Sequence, residues 1–150
     1  MKDALAAPGE EDGPDRREQA IRLATAAVLL EVAHADSKLE DVEVKRIIDY
    51  LEKTFSLDES QTRDLMSAAE EIRARTIDHW HLTNLIKTST TLPQRIEIVK
   101  TMFRIVFSDG FFNQYEDYLV RKLSDLLGVE HHVMIDAKLE VKDEMGLKVE

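Results

Sequence analysis

A segment that joins two helical patterns through a short acidic loop occurs twice in this chain of 150 residues. The first copy begins at Ala33 and reads AHADSKLEDVE, and the second begins at Val106 and reads VFSDGFFNQYE. Asp36 and Asp109 lead the two loops, and Glu43 and Glu116 fall in the first turn of the helix that follows each loop. Because apolar positions around both copies keep the same spacing, we predict that the chain consists of two related halves.

The hydrophobic pattern predicts helices along most of the chain. Apolar residues recur three and four positions apart, and no segment alternates apolar and polar residues over the length of a strand. We therefore expect an all-α fold, a compact helical bundle of about seven helices in two related halves. A single domain should span residues 15–145, after a flexible tail at residues 1–14 and before a frayed end at residues 146–150.

Several residues carry local signals for helix ends. Ser56 and Glu59 have the spacing of a capping box, so a helix is expected to begin between them. Asn113 and Glu116 have the same spacing, which predicts that Asn113 caps the helix after the second loop. Gly128 is a natural stop for that helix.

Composition argues against several classes of function. The chain has 20 basic and 30 acidic residues, and its net charge of −10 repels the phosphates of nucleic acids. It has no cysteine, so thiolate metal sites, thiol nucleophiles and disulfides are excluded. No apolar run approaches the ~20 residues that span a bilayer, and the first 14 residues are too acidic for a signal peptide, so we expect a cytoplasmic protein without membrane insertion. No nucleophile elbow or phosphate-binding glycine loop is present, which argues against an enzyme.

The repeated carboxylates have two interpretations. As local structure, Asp36 and Asp109 bond to backbone N–H groups of their turns, and Glu116 caps its own helix. This explanation is weaker for Glu43, because the residue at the N-cap of its helix, Glu40, is a poor cap. As a site, the four carboxylates supply the hard oxygen ligands that calcium or magnesium prefers.

Aromatic residues around the second loop form a candidate partner-binding patch. If the halves fold alike, Phe112 is buried at the position of Leu39, which leaves Phe111 exposed close to Tyr115. Packing of these rings against the next helix or the tail is the alternative. The five histidines do not have the spacing of a zinc site, and we expect surface or packing roles for them.

The two segments, A-x-A-D with a glutamate seven residues on and S-D-G-F-F-N-Q-Y-E, resemble the TerB-like family. This family includes the tellurite-resistance protein TerB and the N-terminal domain of a DnaJ-like co-chaperone. The resemblance covers most of the chain and implies an all-helical domain without enzymatic activity. It also implies that acidic positions bind a metal ion, and these positions correspond to Asp36, Glu43, Asp109 and Glu116.

Two functional hypotheses follow. The first is a cytoplasmic TerB-like domain that binds a divalent cation in a tellurite or stress-response setting, with Asp41 as an additional ligand. The second is a protein interaction module, homodimeric or co-chaperone-like, in which Phe111 and Tyr115 contact the partner and the acidic residues only cap helices. Only the first should gain stability from a cation and lose that gain on chelation.

Overall fold

Seven α-helices make up the secondary structure of the computed structural model, which describes residues 13–35, 39–75, 78–108 and 112–147. They are α1 (Gly13–Ala33), α2 (Asp41–Phe55), α3 (Glu59–Arg75), α4 (Trp80–Ser89), α5 (Leu92–Val106), α6 (Gln114–Leu126) and α7 (His131–Glu144). No strand occurs in the described ranges, and the prediction of an all-α fold is confirmed.

The first helix, α1, lies at the centre of the fold. Every residue from Leu23 to Leu30 is buried, so this part of the helix has no face toward solvent. Ala24, Ala26 and Ala27 belong to this stretch, and their small side chains let neighbouring helices approach closely. α1 packs against α2, α3, α4 and α5 and also contacts α6. A helix that is apolar on all sides is expected to be buried in this way.

The two halves share the same helix ends. α1 ends at Ala33 and α5 ends at Val106, which are the first residues of the two acidic segments. α2 begins at Asp41 and α6 begins at Gln114, and these residues hold the same place within the two segments. The repeat is therefore present in the helices as well as in the residue pattern.

Backbone hydrogen bonds at these helix ends repeat as well. The N–H of His34 donates to the carbonyl of Leu30 at 2.9 Å. The N–H of Phe107, at the equivalent position of the second half, donates to the carbonyl of Phe103 at the same distance. Both acidic loops therefore follow a helix that ends with the same backbone hydrogen bond.

The repeat extends to a third helix in each half. From here on, the sequence distance between equivalent residues of the two halves is one residue shorter. Ser56 (φ 56°) and Gly128 (φ 75°) take the left-handed conformation after α2 and α6. The N–H groups of the next residues, Leu57 and Val129, donate to carbonyls five positions back at 3.2 and 2.9 Å. α3 and α7 then pack on the first two helices of their own halves. The repeated unit is thus three helices, with α4 inserted between the two units.

The two units join through their first two helices. α1 packs against α5, and each of these helices also contacts the second helix of the other unit. The start of the second unit is fixed by a capping box, in which Thr91 Oγ1 accepts from the N–H of Gln94 at 3.3 Å and Gln94 Oε1 accepts from the N–H of Thr91 at 2.8 Å. The second helix of the first unit, α2, packs against α5 across this junction.

The capping box predicted at Ser56 and Glu59 is wrong. Ser56 closes α2, and Asp58 and Gln61 form the capping box of α3 instead, with N–H to oxygen distances of 2.8 and 2.9 Å. The physical reason is that the residue closing α2 takes the left-handed conformation, whereas an N-cap needs extended backbone.

The predicted chain ends fall largely outside the described residues, which exclude residues 1–12 and 148–150. Gly13, which the sequence assigned to the tail, already belongs to α1. At the other end, the N–H groups of Gly146 and Leu147 close α7 by bonding to its carbonyls at 3.1 and 2.8 Å.

Candidate metal centre

The glutamates of the two acidic segments make the same hydrogen bond. Glu43 Oε1 accepts from the backbone N–H of Glu40 at 3.0 Å, and Glu116 Oε1 accepts from the N–H of Asn113 at 3.0 Å. Each glutamate is the third residue of its helix and reaches back to the N-cap. Because this bond needs only a backbone N–H, the side chain of Glu40 does not weaken it. Glu43 therefore makes its capping bond as Glu116 does. Asn113 Oδ1 in addition accepts from the N–H of Glu116 at 2.8 Å, as its residue type predicts.

Both carboxylates are buried, since Glu43 is 1% exposed and Glu116 is 2% exposed. In the two other capping boxes, of α3 and α5, the same bond is made by Gln61 and Gln94, which are exposed. An ionised carboxylate costs more free energy to bury than a neutral amide. The two buried boxes thus contain a glutamate where the two exposed boxes contain a glutamine, a difference that capping alone does not require.

A hydrogen bond joins α2, just after the first copy of the acidic segment, to the second copy. Arg46 lies one turn after Glu43 in α2, and its Nε donates to Ser108 Oγ at 3.3 Å. Ser108 directly precedes Asp109 in the chain. The first turns of α2 and the start of the second loop therefore lie side by side, although they belong to different units.

The remaining predicted ligands are only partly described. Asp36 and Asp109, together with the predicted contact residue Phe111, lie outside the described residues. Asp41, the additional ligand, is exposed on the first turn of α2. In the part of the chain that the structure describes, no three histidine or carboxylate side chains are grouped to hold a metal ion. A metal site built on the repeat therefore requires the loop aspartates.

The second copy of the segment carries aromatic rings that the first copy lacks. Tyr115 and Tyr118 are 52% and 58% exposed, and their ring centroids are 6.4 Å apart. Phe112 is half-buried and meets the ring of Phe107 edge to face, with centroids 5.2 Å apart. Its counterpart Leu39 is exposed. The two halves differ here because the first half has no phenylalanine at the position of Phe107.

A comparison with protein families bears on this duplicated segment. A family model described as "Tellurite resistance protein TerB" matches residues 22–139, which is more than half of the chain and includes both acidic loops. The chain belongs to the TerB family. The resemblance inferred from the two acidic segments is confirmed, while comparisons with curated proteins and with solved structures give no match.

Sequence reasoning missed a polar network that joins α1, α3 and α4 of this TerB-family fold. Arg73 lies between two carboxylates, with Nη2 2.9 Å from Glu70 Oε2 and Nη1 3.4 Å from Glu31 Oε1. His34 Nε2 lies 3.2 Å from Glu70 Oε1, and His79 Nε2 lies 3.3 Å from Glu31 Oε2. The contacts that join different helices are far apart in the sequence, so no local pattern indicates them.

The network changes the acidity of its carboxyl groups. The hydrogen bond from His79 is the largest influence that lowers the pKa of Glu31, and Arg73 adds to it. The hydrogen bond from Arg73 lowers the pKa of Glu70 in the same way. His34 and His79 therefore each contact a glutamate where the helices pack together.

No helix in the described part of this TerB-family chain has the length and apolarity needed to cross a bilayer.

Proposed function

We propose that this TerB-family domain is a non-enzymatic cytoplasmic protein that binds a divalent cation, calcium or magnesium, in a tellurite or metal-stress response. The proposed ligands are Asp36, Glu43, Asp109 and Glu116. The observation that carries the proposal is the burial of two glutamates at equivalent positions of the repeated acidic segment, each in the first turn of the helix after the loop. Carboxylate oxygens suit these hard cations, and a cation offsets the repulsion among four negative charges.

The other capping boxes of the chain support a role for the charge itself. Gln61 and Gln94 make the capping bond without a charge at exposed sites. At Glu43 and Glu116, a glutamine would make the same bond at a lower cost of desolvation. The presence of glutamate rather than glutamine at both buried positions therefore supports the proposal that these side chains are carboxylate ligands.

The testing experiment is a thermal-unfolding titration of the metal-stripped protein with calcium, magnesium, manganese and zinc at constant ionic strength. A cation at 100 times its Kd adds about 2.7 kcal/mol to the free energy of unfolding and raises Tm. The double variant Glu43→Gln/Glu116→Gln keeps both capping bonds and should lose this rise. Asp36→Asn/Asp109→Asn should lose it as well.

A matched control removes two charges elsewhere. Glu59 and Glu71 are exposed on α3, where their ion pairs with arginines one turn away are long, at 3.7 and 3.9 Å. The variant Glu59→Gln/Glu71→Gln should keep the full cation-dependent rise in Tm. The proposal fails if no cation raises the Tm of the unaltered chain, or if the rise is equal in the glutamine variant of the buried pair.

The exposed tyrosine pair favours a second candidate, a homodimeric interaction module. Tyr115 and Tyr118 present two neighbouring rings on α6, and tyrosine is enriched in protein interfaces. In this candidate, Phe111 and Tyr115 contact the second copy, and the glutamates only cap helices. The variant Tyr115→Ser/Tyr118→Ser should then convert a dimer to a monomer in analytical ultracentrifugation, and divalent cations should leave Tm unchanged.

A further inference from the structure

A cavity of about 890 Å³ opens between α1, α2 and α5. Its floor includes Thr25 and Ile98, which are buried, and its walls include Tyr50 and Phe55, which are half-buried. Lys53 stands exposed at the rim. The volume is within the range of small-molecule binding sites. The lining combines a majority of polar and charged residues with the apolar side chains of Ile21, Phe55, Pro93 and Ile98.

The floor contains a hydroxyl group without a hydrogen-bond partner. Thr25 is 1% exposed, and its Oγ1 bonds to no group in the described part of the chain. The other buried threonines, Thr62, Thr83 and Thr101, each donate to the carbonyl four residues back, at 2.8, 2.8 and 2.9 Å. A buried hydroxyl that makes no hydrogen bond is costly, so a polar group inside the cavity would stabilise this site.

Two cations that line the cavity, Arg46 and Lys53, make no ion pair with a carboxylate among the described residues, and Arg46 Nε instead donates to Ser108 Oγ at 3.3 Å. Glu144 at the mouth binds Arg104 through two hydrogen bonds, at 2.8 and 3.0 Å. Asp49 lies 3.3 Å from the Nζ of Lys45. Of the two cations without an ion pair, Lys53 is the exposed one at the rim. In a chain of net charge −10, this lysine favours a negatively charged group at the rim.

We propose that the cavity binds a small hydroxy carboxylate with an apolar middle. Its hydroxyl group bonds to Thr25 Oγ1 at the floor, its apolar part lies against Ile21, Phe55 and Ile98, and its carboxylate pairs with Lys53 at the rim. Neither Glu43 nor Glu116 lines the cavity, so this site is distinct from the candidate metal centre.

The test uses ω-hydroxy carboxylates of six, eight and ten carbons, with the plain carboxylates and the diols of the same lengths as comparisons. Binding is followed by amide chemical shifts in NMR and by calorimetry. In the unaltered chain, the hydroxy carboxylate of the best length should bind about tenfold more tightly than the plain carboxylate, since it satisfies the free hydroxyl of Thr25. Lys53→Gln should weaken the binding of the carboxylates by up to about fivefold and leave the binding of the diols unchanged.

Thr25→Val tests the floor without removing volume. It should abolish the preference for the hydroxy carboxylate and leave the Tm of the ligand-free protein equal or higher, because the lost hydroxyl has no partner. Thr83→Val is the matched control, because its hydroxyl is bonded to His79 and lies outside the cavity. It should lower Tm and keep the preference.

Two results would overturn the proposal. One is a preference for the hydroxy carboxylate that persists in Thr25→Val. The other is the absence of shifts at Ile98 and its neighbours with every compound, which would mean that the cavity holds only water. Lys53 is exposed, so Lys53→Gln keeps the test decisive even if Thr25→Val does not fold.

Discussion

Gly128 is a residue whose conformation and close neighbours both disfavour a side chain. Its φ of +75° lies in the left-handed region, and an added Cβ would stand 3.0 Å from both Arg95 Nη1 and Lys87 Cε. Arg95 Nη1 also donates to the carbonyl of Leu127 at 2.8 Å, at the end of α6. A substitution here would therefore strain the backbone and disturb this hydrogen bond.

Gly146 provides a matched comparison, because its φ is +73° and an added Cβ would meet nothing within 4 Å. We predict that Gly146→Ala costs about 1 kcal/mol in the free energy of unfolding, from backbone strain alone. Gly128→Ala should cost clearly more, because Arg95 and Lys87 must also move. Urea unfolding measures both values, and equal costs would show that the crowding at Gly128 has no effect.

The raised pKa of Tyr50 makes the stability of the protein depend on pH in the alkaline range. Burial is the main cause that raises its pKa from 10.0 to about 12. The folded state therefore holds the phenolic proton more tightly than the unfolded state does, and the stability that depends on this proton is complete below pH 10 and decreases as pH rises toward about 12. Tyr50→Phe should remove this part of the alkaline decrease in the free energy of unfolding. An unchanged pH profile in that variant would contradict the assignment.

At the scale of elements, each unit joins its first helix to its third helix through an ion pair, and the acidic and basic partners are exchanged between the two units. In the first unit, Glu31 of α1 pairs with Arg73 of α3 at 3.4 Å. In the second unit, Arg104 of α5 pairs with Glu144 of α7 at 2.8 Å. Glu31 and Arg104 each lie two positions before the acidic segment of their unit, so equivalent positions of the first helices carry opposite charges. Each pair joins the first helix of its unit to the third.

We predict that Arg104→Glu destabilises the protein and that Arg104→Glu/Glu144→Arg restores part of the loss, with a coupling energy of up to about 1 kcal/mol. Restoration should be incomplete because Glu97 lies 3.7 Å from Arg104 and would repel the new glutamate. A double-mutant cycle with the free energy of unfolding measures the coupling. A coupling energy of zero would show that this pair does not hold α5 to α7.

The same pair has a defined pH dependence. The hydrogen bond from Arg104 lowers the pKa of Glu144 below its ordinary value of 4.5. Its contribution to stability is therefore present above pH 4.5 and is lost as pH falls through the lowered pKa. The coupling energy in the double-mutant cycle should decrease over this acidic range.

At the scale of the whole molecule, the net charge of −10 acts against the folded state through self-repulsion. Monovalent salt screens this repulsion and should raise Tm modestly with any cation, whereas a site should respond to particular divalent cations at constant ionic strength. The difference between these two responses separates general screening from binding at Glu43 and Glu116.

The sequence predicted those features that depend on neighbours in the chain. Asn113 caps α6 and Gly128 follows its end, as their residue types indicate. Ser56 was assigned wrongly because serine suits an N-cap by residue type, whereas its position after α2 requires a left-handed residue. The wrong choice arose where two helix ends compete for the same short segment.

The sequence by itself determined the seven helices, the repeat and the TerB-family resemblance, because helical periodicity and capping operate over three or four residues. Only the tertiary structure decided that Glu43 and Glu116 are buried and that Arg73 joins two carboxylates. It also decided that Thr25 lines a cavity and that its hydroxyl group has no hydrogen-bond partner in the described part of the chain. These features depend on side chains brought together from different helices, and the packing of one helix against another has no signal within either helix alone.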